Sequence, residues 1–142
     1  MKSGMPLATQ GLRIGLLGGS FDPPHSGHMH ISKWAIKEFS LDRIWWLVSP
    51  GNPLKKDAPA DLNRRLSACN KLVNHPRVIV TDLERVFNTR YTAQTLTSLK
   101  SQYIGVRFVW LMGADNLAEF HKWDLWQDIM HMLPVGVMAR PN

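Results

Sequence analysis

Histidine is scarce in this chain, six residues in 142, yet three of the six fall between His25 and His30, directly behind the glycines of Gly18-Gly19-Ser20-Phe21-Asp22-Pro23-Pro24. His25 and His28 are three positions apart. That spacing puts two imidazoles on one face at a helix start, and Gly27 between them leaves room for a ligand to approach the backbone. Imidazoles so placed donate hydrogen bonds to phosphate oxygens as charge develops in a transition state. Gly18 and Gly19 permit positive φ and bring backbone N–H groups near the same ligand, where the positive end of the next helix also points. The spacing is neither Gly-x-Gly-x-x-Gly nor Gly-x-x-x-x-Gly-Lys-Ser, so the glycines alone define only a tight turn. Zinc is the rival ligand for the histidines. No cysteine lies nearby and the spacing is not that of a His-Glu-x-x-His helix, so no metal ligand is assigned. His30 falls on a different helix face and reads as a surface residue.

These residues need a strand to deliver them and a helix to orient them. Residues 12–17 form a short apolar run ended by Gly18 and Gly19, which predicts a buried strand feeding a turn. Ile31, Trp34, Ala35 and Phe39 recur at helical spacing, predicting a helix over about 26–39. The alternation then repeats: a strand over 43–48, a proline-rich loop over 49–61, and a helix capped by Asp61 with the stripe Leu62, Leu66, Cys69 and Val73. A strand over 77–83 follows, then a helix capped by Thr92 and carrying Ala93, Leu96 and Leu99. A fourth strand over 106–112 ends at Gly113, and two short helical stretches, 116–120 and 125–132, lead to a fifth strand over 134–139. Strands apolar on both faces and alternating with helices predict a doubly wound α/β fold. It is a Rossmann-like parallel sheet of about five strands with helices on both faces. Ligands of such sheets sit beyond the carboxyl ends of the strands, where strand order reverses.

Composition narrows the rest. The length suits one domain over 1–142, and 44% hydrophobic with 20% charged residues is ordinary for a folded globular chain. No apolar run approaches a membrane span and the first residues lack a secretory signal, so no membrane partner is expected and the cytoplasm is the expected location. The lone Cys69 falls in an apolar stripe and reads as packing. The net charge of +6 favours anionic partners. Its basic residues are scattered, Arg64 and Arg65 among them, which fits a concave phosphate site better than a duplex-binding face, so no nucleic-acid partner is expected.

The stretch from Gly18 to His28 resembles the signature of the His-x-Gly-His nucleotidyltransferases, and its Phe-Asp-Pro-Pro-His core resembles the bacterial nicotinate mononucleotide adenylyltransferases. Three further segments follow in that family's order. They are Asn52 to Lys56, Arg90 to Leu96 (Arg-Tyr-Thr-Ala-Gln-Thr-Leu), and Leu111 to Trp123, which contains Gly-Ala-Asp and ends in Trp. The Tyr-Thr segment and the terminal Trp favour this family over its relatives.

The resemblance implies transfer of an adenylyl group from ATP to nicotinate mononucleotide by direct in-line displacement, with Mg²⁺ on the polyphosphate and no covalent enzyme intermediate. Under it His25 and His28 are the catalytic pair on the ATP phosphates. Gly18, Gly19, Ser20 and Phe21 form the floor for ATP, while Asp22 organises the loop and Pro23 and Pro24 stiffen it. Gly113 and Asp115 also belong to the ATP side, Asp115 accepting ribose hydroxyls, capping the next helix, or both. Lys55 and Lys56 meet phosphate, with a solvated loop the alternative, and are grouped with the acceptor, as is Arg140. Tyr91, Thr92 and Trp123 form the surface for the pyridine ring and its carboxylate, with core packing the alternative for Trp123. The remaining tryptophans are expected in the core. The family pattern runs on past the fifth strand, whereas this sequence stops at Asn142; exposed apolar surface and a homo-oligomer are the matching expectations. The competing functions are adenylyl transfer to nicotinamide mononucleotide or phosphopantetheine, a non-catalytic nucleotide-binding module and, weighed lowest, nucleic-acid binding.

Overall fold

Alternation of apolar side chains along the strands sets the architecture of the computed structural model, which describes residues 5–50, 61–114, 119–123 and 125–138. In β1 (Arg13–Gly19), Ile14 and Leu16 belong to one core and Leu17 to the other; in β2 (Arg43–Val48), Trp45 and Leu47 oppose Ile44, Trp46 and Val48. β3 (Val78–Thr81), β4 (Arg107–Gly113) and β5 (Val135–Met138) complete a five-stranded parallel sheet of order β3-β2-β1-β4-β5. A strand apolar on both faces must be covered on both. α1 (Ser26–Glu38) and α2 (Leu62–Leu72) cover one face with Met29, Ala35, Leu62 and Cys69. α3 (Leu83–Phe87), α4 (Thr92–Gln102) and α5 (Trp126–Met132) cover the other with Leu83, Ala93, Leu96, Leu99 and Ile129. This is the doubly wound sheet expected, and β2 falls on the expected residues.

Several local expectations are corrected. β1 runs through Gly18 and Gly19, which pair with Leu47 and Val48, because β2 continues alongside to satisfy their backbone. Neither glycine has positive φ; the left-handed residue at this turn is Phe21, at φ 51°. Asp61 stands at the N-cap of α2 without a side-chain cap bond, its carboxylate lying 3.9 and 3.8 Å from Arg64 and Arg65 instead. β3 stops at Thr81, and the residues read as its end begin α3, where Arg85 pairs with Asp82. Tyr91, not Thr92, is the N-cap of α4. Phe120–Lys122 is a 3-10 turn, and the rest of the short helix expected there includes residues outside those described. Trp34 is 41% exposed, edge-on to Phe39, because the buried stripe of α1 is Met29, Ser32 and Ala35.

Candidate functional site

β1 has β2 on one side and β4 on the other, so strand order reverses at β1 and β4, and the carboxyl ends of these two strands are where ligands of such sheets bind. Gly18, Gly19, Ser20, Phe21, His25 and His28 gather at the end of β1. Gly113 ends β4 two residues past the Leu17–Leu111 pair, as Gly19 does on β1, and a Cβ there would meet no atom of the described residues within 4 Å.

The turn is shaped by what surrounds it. A Cβ on Gly18 would stand 2.8 Å from Cη2 of Trp110, so glycine is needed for that indole to lie across the strand. The Gly19 carbonyl accepts from the Ser49 N–H at 2.9 Å. The Ser20 carbonyl accepts from Nη1 of Arg65 at 2.8 Å. Phe21 is 2% exposed, its ring stacked on Trp46 with centroids 4.8 Å apart and lying 4.5 Å from the His28 ring.

His25 is the N-cap of α1, and its Nδ1 accepts from the Gly27 N–H at 3.1 Å. Its ring fills the space beside Gly27, where an added Cβ would lie 2.8 Å from imidazole atoms. The room expected beside Gly27 is thus taken by His25 itself. Nδ1 of His28 accepts from the His25 N–H at 3.0 Å, and the two ring centroids are 4.0 Å apart. An Nδ1 that accepts carries no proton, so both neutral rings hold theirs on Nε2, leaving Nε2–H as the donor for a ligand. Burial, with the neighbouring His25 second, lowers the pKa of His28 to about 4, so it is neutral near pH 7. Ser32 supports it from below: its hydroxyl donates to the His28 carbonyl at 2.8 Å and accepts from Nε1 of Trp46 at 2.9 Å.

The other expected site residues stand on other elements. Tyr91, 47% exposed, and Thr92 stand at the start of α4, where Oε1 of Gln94 accepts from the Arg90 and Tyr91 N–H groups at 3.0 and 3.2 Å. Half-buried Trp123 packs edge-on to Trp110 and Phe120, with centroids 6.0 and 5.2 Å away. Lys55, Lys56, Asp115 and Arg140 lie outside the described residues. Two further residues at the turn belong to none of the sequence motifs. Arg65 is 5% exposed and bonds the carbonyls of Ser20, Ser49 and Pro50; Glu84 hydrogen-bonds the Ser49 side chain, and burial raises its pKa to about 7. Arg65 sits three residues after Leu62 and four before Cys69, in the apolar stripe of α2, and that misplaced charge was the signal.

Among the described residues no group of three His, Cys, Asp or Glu side chains is placed to hold a metal ion, and no helix is long and apolar enough to cross a membrane. The cytidylyltransferase-like family matches residues 16–142. A protein of Cereibacter sphaeroides strain ATCC 17025, named "Probable nicotinate-nucleotide adenylyltransferase", is 66% identical over 129 residues, covering 91% of this chain and 70% of that protein. One of the same name in Roseobacter denitrificans is 59% identical over 142 residues, covering the whole chain and 71% of the relative. Among solved structures, the Plasmodium falciparum nicotinic acid mononucleotide adenylyltransferase complexed with NaAD shares the fold with a TM-score of 0.69 at 16% identity, over 92% of this chain and 76% of that one.

Proposed function

The chain belongs to the nicotinate-nucleotide adenylyltransferases of the cytidylyltransferase-like family, and from that membership we infer that it transfers the adenylyl group of ATP to nicotinate mononucleotide, releasing pyrophosphate. The observation that carries the reading to a site is the His25–His28 pair at the carboxyl end of β1, each ring holding Nδ1 on a backbone N–H and keeping Nε2–H to give.

In the reaction an oxygen of the acceptor's phosphate forms a bond to the α-phosphorus of ATP as the bond from that phosphorus to the pyrophosphate oxygen breaks. No enzyme nucleophile enters, so the protein acts by positioning and by donors aimed where negative charge accumulates. Nε2–H of His25 and His28 are those donors. A neutral imidazole gives a hydrogen bond without taking the α-phosphate's charge as a counter-ion, so its contribution grows as the phosphate oxygens become more negative. The turn from Gly18 to Phe21 supports the phosphates with backbone N–H groups, and Gly113 is proposed to admit the nucleoside at the β4 end, with Asp115 proposed on the ribose. Tyr91, Thr92 and Trp123 are proposed to receive the pyridine nucleotide, with Lys55, Lys56 and Arg140 on phosphate. Mg²⁺ is proposed to arrive on ATP as part of the substrate, where it neutralises the leaving pyrophosphate.

The buried free thiol of Cys69, its pKa raised to about 11, accords with a reducing compartment, and the cytoplasm is the proposed location. Exposed Leu125 and Met130, at the start of and within α5, support the proposed self-association, which sedimentation velocity reads directly. The function is tested by incubating the protein with ATP, Mg²⁺ and nicotinate mononucleotide and separating the products. Nicotinate adenine dinucleotide and pyrophosphate are expected in equal amounts. A preference for nicotinamide mononucleotide or phosphopantetheine as acceptor would replace this substrate, and ATP binding without turnover on any acceptor would reject the enzyme.

A further inference from the structure

Arg65 stands among apolar neighbours on α2, 5% exposed, and is used almost entirely on backbone oxygen. Its Nη1 donates to the Ser20 carbonyl at 2.8 Å and to the Ser49 carbonyl at 2.6 Å, its Nη2 reaches the Pro50 carbonyl at 3.4 Å, and Nε lies 3.8 Å from the Asp61 carboxylate. One buried cation therefore joins the ends of β1 and β2. Ser49 is gripped from other sides as well, its N–H by the Gly19 carbonyl and its side chain by Glu84 of α3.

The consequence follows from peptide planarity. Across a trans peptide the C=O and the next N–H point in opposite directions. The Gly19 carbonyl is turned to Ser49 and the Ser20 carbonyl to Arg65, so two successive peptides direct their oxygens to the β2 side. In a regular strand successive carbonyls alternate. Here the N–H groups of Ser20 and Phe21 both turn away from β2, and among the described residues neither donates to a backbone carbonyl. Adjacent N–H groups turned the same way form a concavity for an anion. The left-handed φ of Phe21 belongs to the same local geometry.

We propose that Arg65 is a positioning residue of the site: it fixes the Ser20–Phe21 peptide so that two successive N–H groups face the polyphosphate crevice together. It touches no substrate and acts through the turn. The kinetic part of this proposal rests on the adenylyl transfer proposed above; the binding part does not.

The test uses Arg65→Lys and Arg65→Met, with thermal unfolding as the check on folding. Lysine keeps the charge, but its ammonium ends about one bond short of Nη1 and cannot hold the fork of contacts. For Arg65→Lys the expected result is a kcat lowered about three- to tenfold, as a small misplacement near the reacting atoms does. The KM for nicotinate mononucleotide should stay within about twofold, and the affinity for inorganic tripolyphosphate by calorimetry should fall by about the factor lost in kcat. Arg65→Met, where it folds, should lose more than lysine on both readouts. An Arg65→Lys protein with wild-type kcat and wild-type tripolyphosphate affinity overturns the proposal. Loss of the folded state in Arg65→Lys also overturns it, since the cation would then serve the whole fold rather than one turn. Wild-type protein that binds tripolyphosphate but turns over no acceptor rejects the proposed reaction while the binding comparison still decides the role of Arg65.

Discussion

The imidazoles of His25 and His28 lie with centroids 4.0 Å apart, and each gives its Nδ1 to a backbone N–H of the same helix start. The pair is thereby locked in one tautomer before any ligand arrives. His25→Ala or His28→Ala should each lower turnover by about two orders of magnitude or more, as loss of a preorganised transition-state donor does. Steady-state kinetics with ATP and nicotinate mononucleotide reads this, and unchanged turnover in both variants removes the assigned role.

Gly27 and Gly18 separate activity from stability. An alanine Cβ at Gly27 meets the ring of exposed His25 at 2.8 Å, and a side chain at the surface can swing aside. Gly27→Ala should cost activity through a displaced imidazole while the unfolding midpoint in urea barely moves. At Gly18 the same distance is to Trp110, 4% exposed, which has nowhere to go. Gly18→Ala should cost roughly 1–3 kcal/mol of stability, the range for overpacking a filled core.

The Ser32 hydroxyl links the helix bearing His28 to the strand bearing Trp46. Ser32→Ala leaves the Trp46 N–H buried without its acceptor, at a cost of about 1–3 kcal/mol. Denaturant titration measures it. A change below a few tenths of a kcal/mol would mean that the indole finds another partner.

Two groups impose opposite pH dependences. His28, depressed to about 4 in the fold, is neutral there while the unfolded chain takes up a proton below its ordinary 6.5. Its effect is a loss of stability as pH falls from about 6.5 to about 4. Glu84 is raised to about 7, so the fold holds its proton while the unfolded chain releases it above 4.5, and stability is lost as pH rises from about 4.5 to about 7. Across the shared window the slopes oppose one another. Glu84→Gln should unmask a stability rising with pH from about 4 to 6.5, and His28→Gln one falling with pH from about 4.5 to 7. Urea unfolding at a series of pH values checks both, and parallel profiles in the two variants would refute the assignment.

How much of this was legible in the sequence depended on range. β2 is legible to the residue because the five residues after Arg43 are all apolar and buried, as a strand covered on both faces requires. The His25–His28 pair was legible because its geometry is local to one helix turn. The end of β1 is not legible because glycine signals a break, whereas here Gly18 admits a tryptophan from the neighbouring strand. Arg65 escaped for the complementary reason: its partners Ser49 and Ser20 are 16 and 45 positions away and are backbone atoms, which no residue pattern announces. The hydroxyl of Thr92 suits a cap, but Gln94 reaches back to the preceding amides and moves the boundary to Tyr91.

Phe21 does two things at once. Its backbone makes the left-handed kink through which the chain leaves β1, a bend that costs a side-chain-bearing residue about 1–2 kcal/mol, while its ring is wedged into the corner formed by Trp46 and His28, whose own centroids are 5.8 Å apart. Glycine would bend more easily but would bring no wedge. Because kink and wedge are one residue, the path of the chain and the seat of the imidazole cannot drift apart.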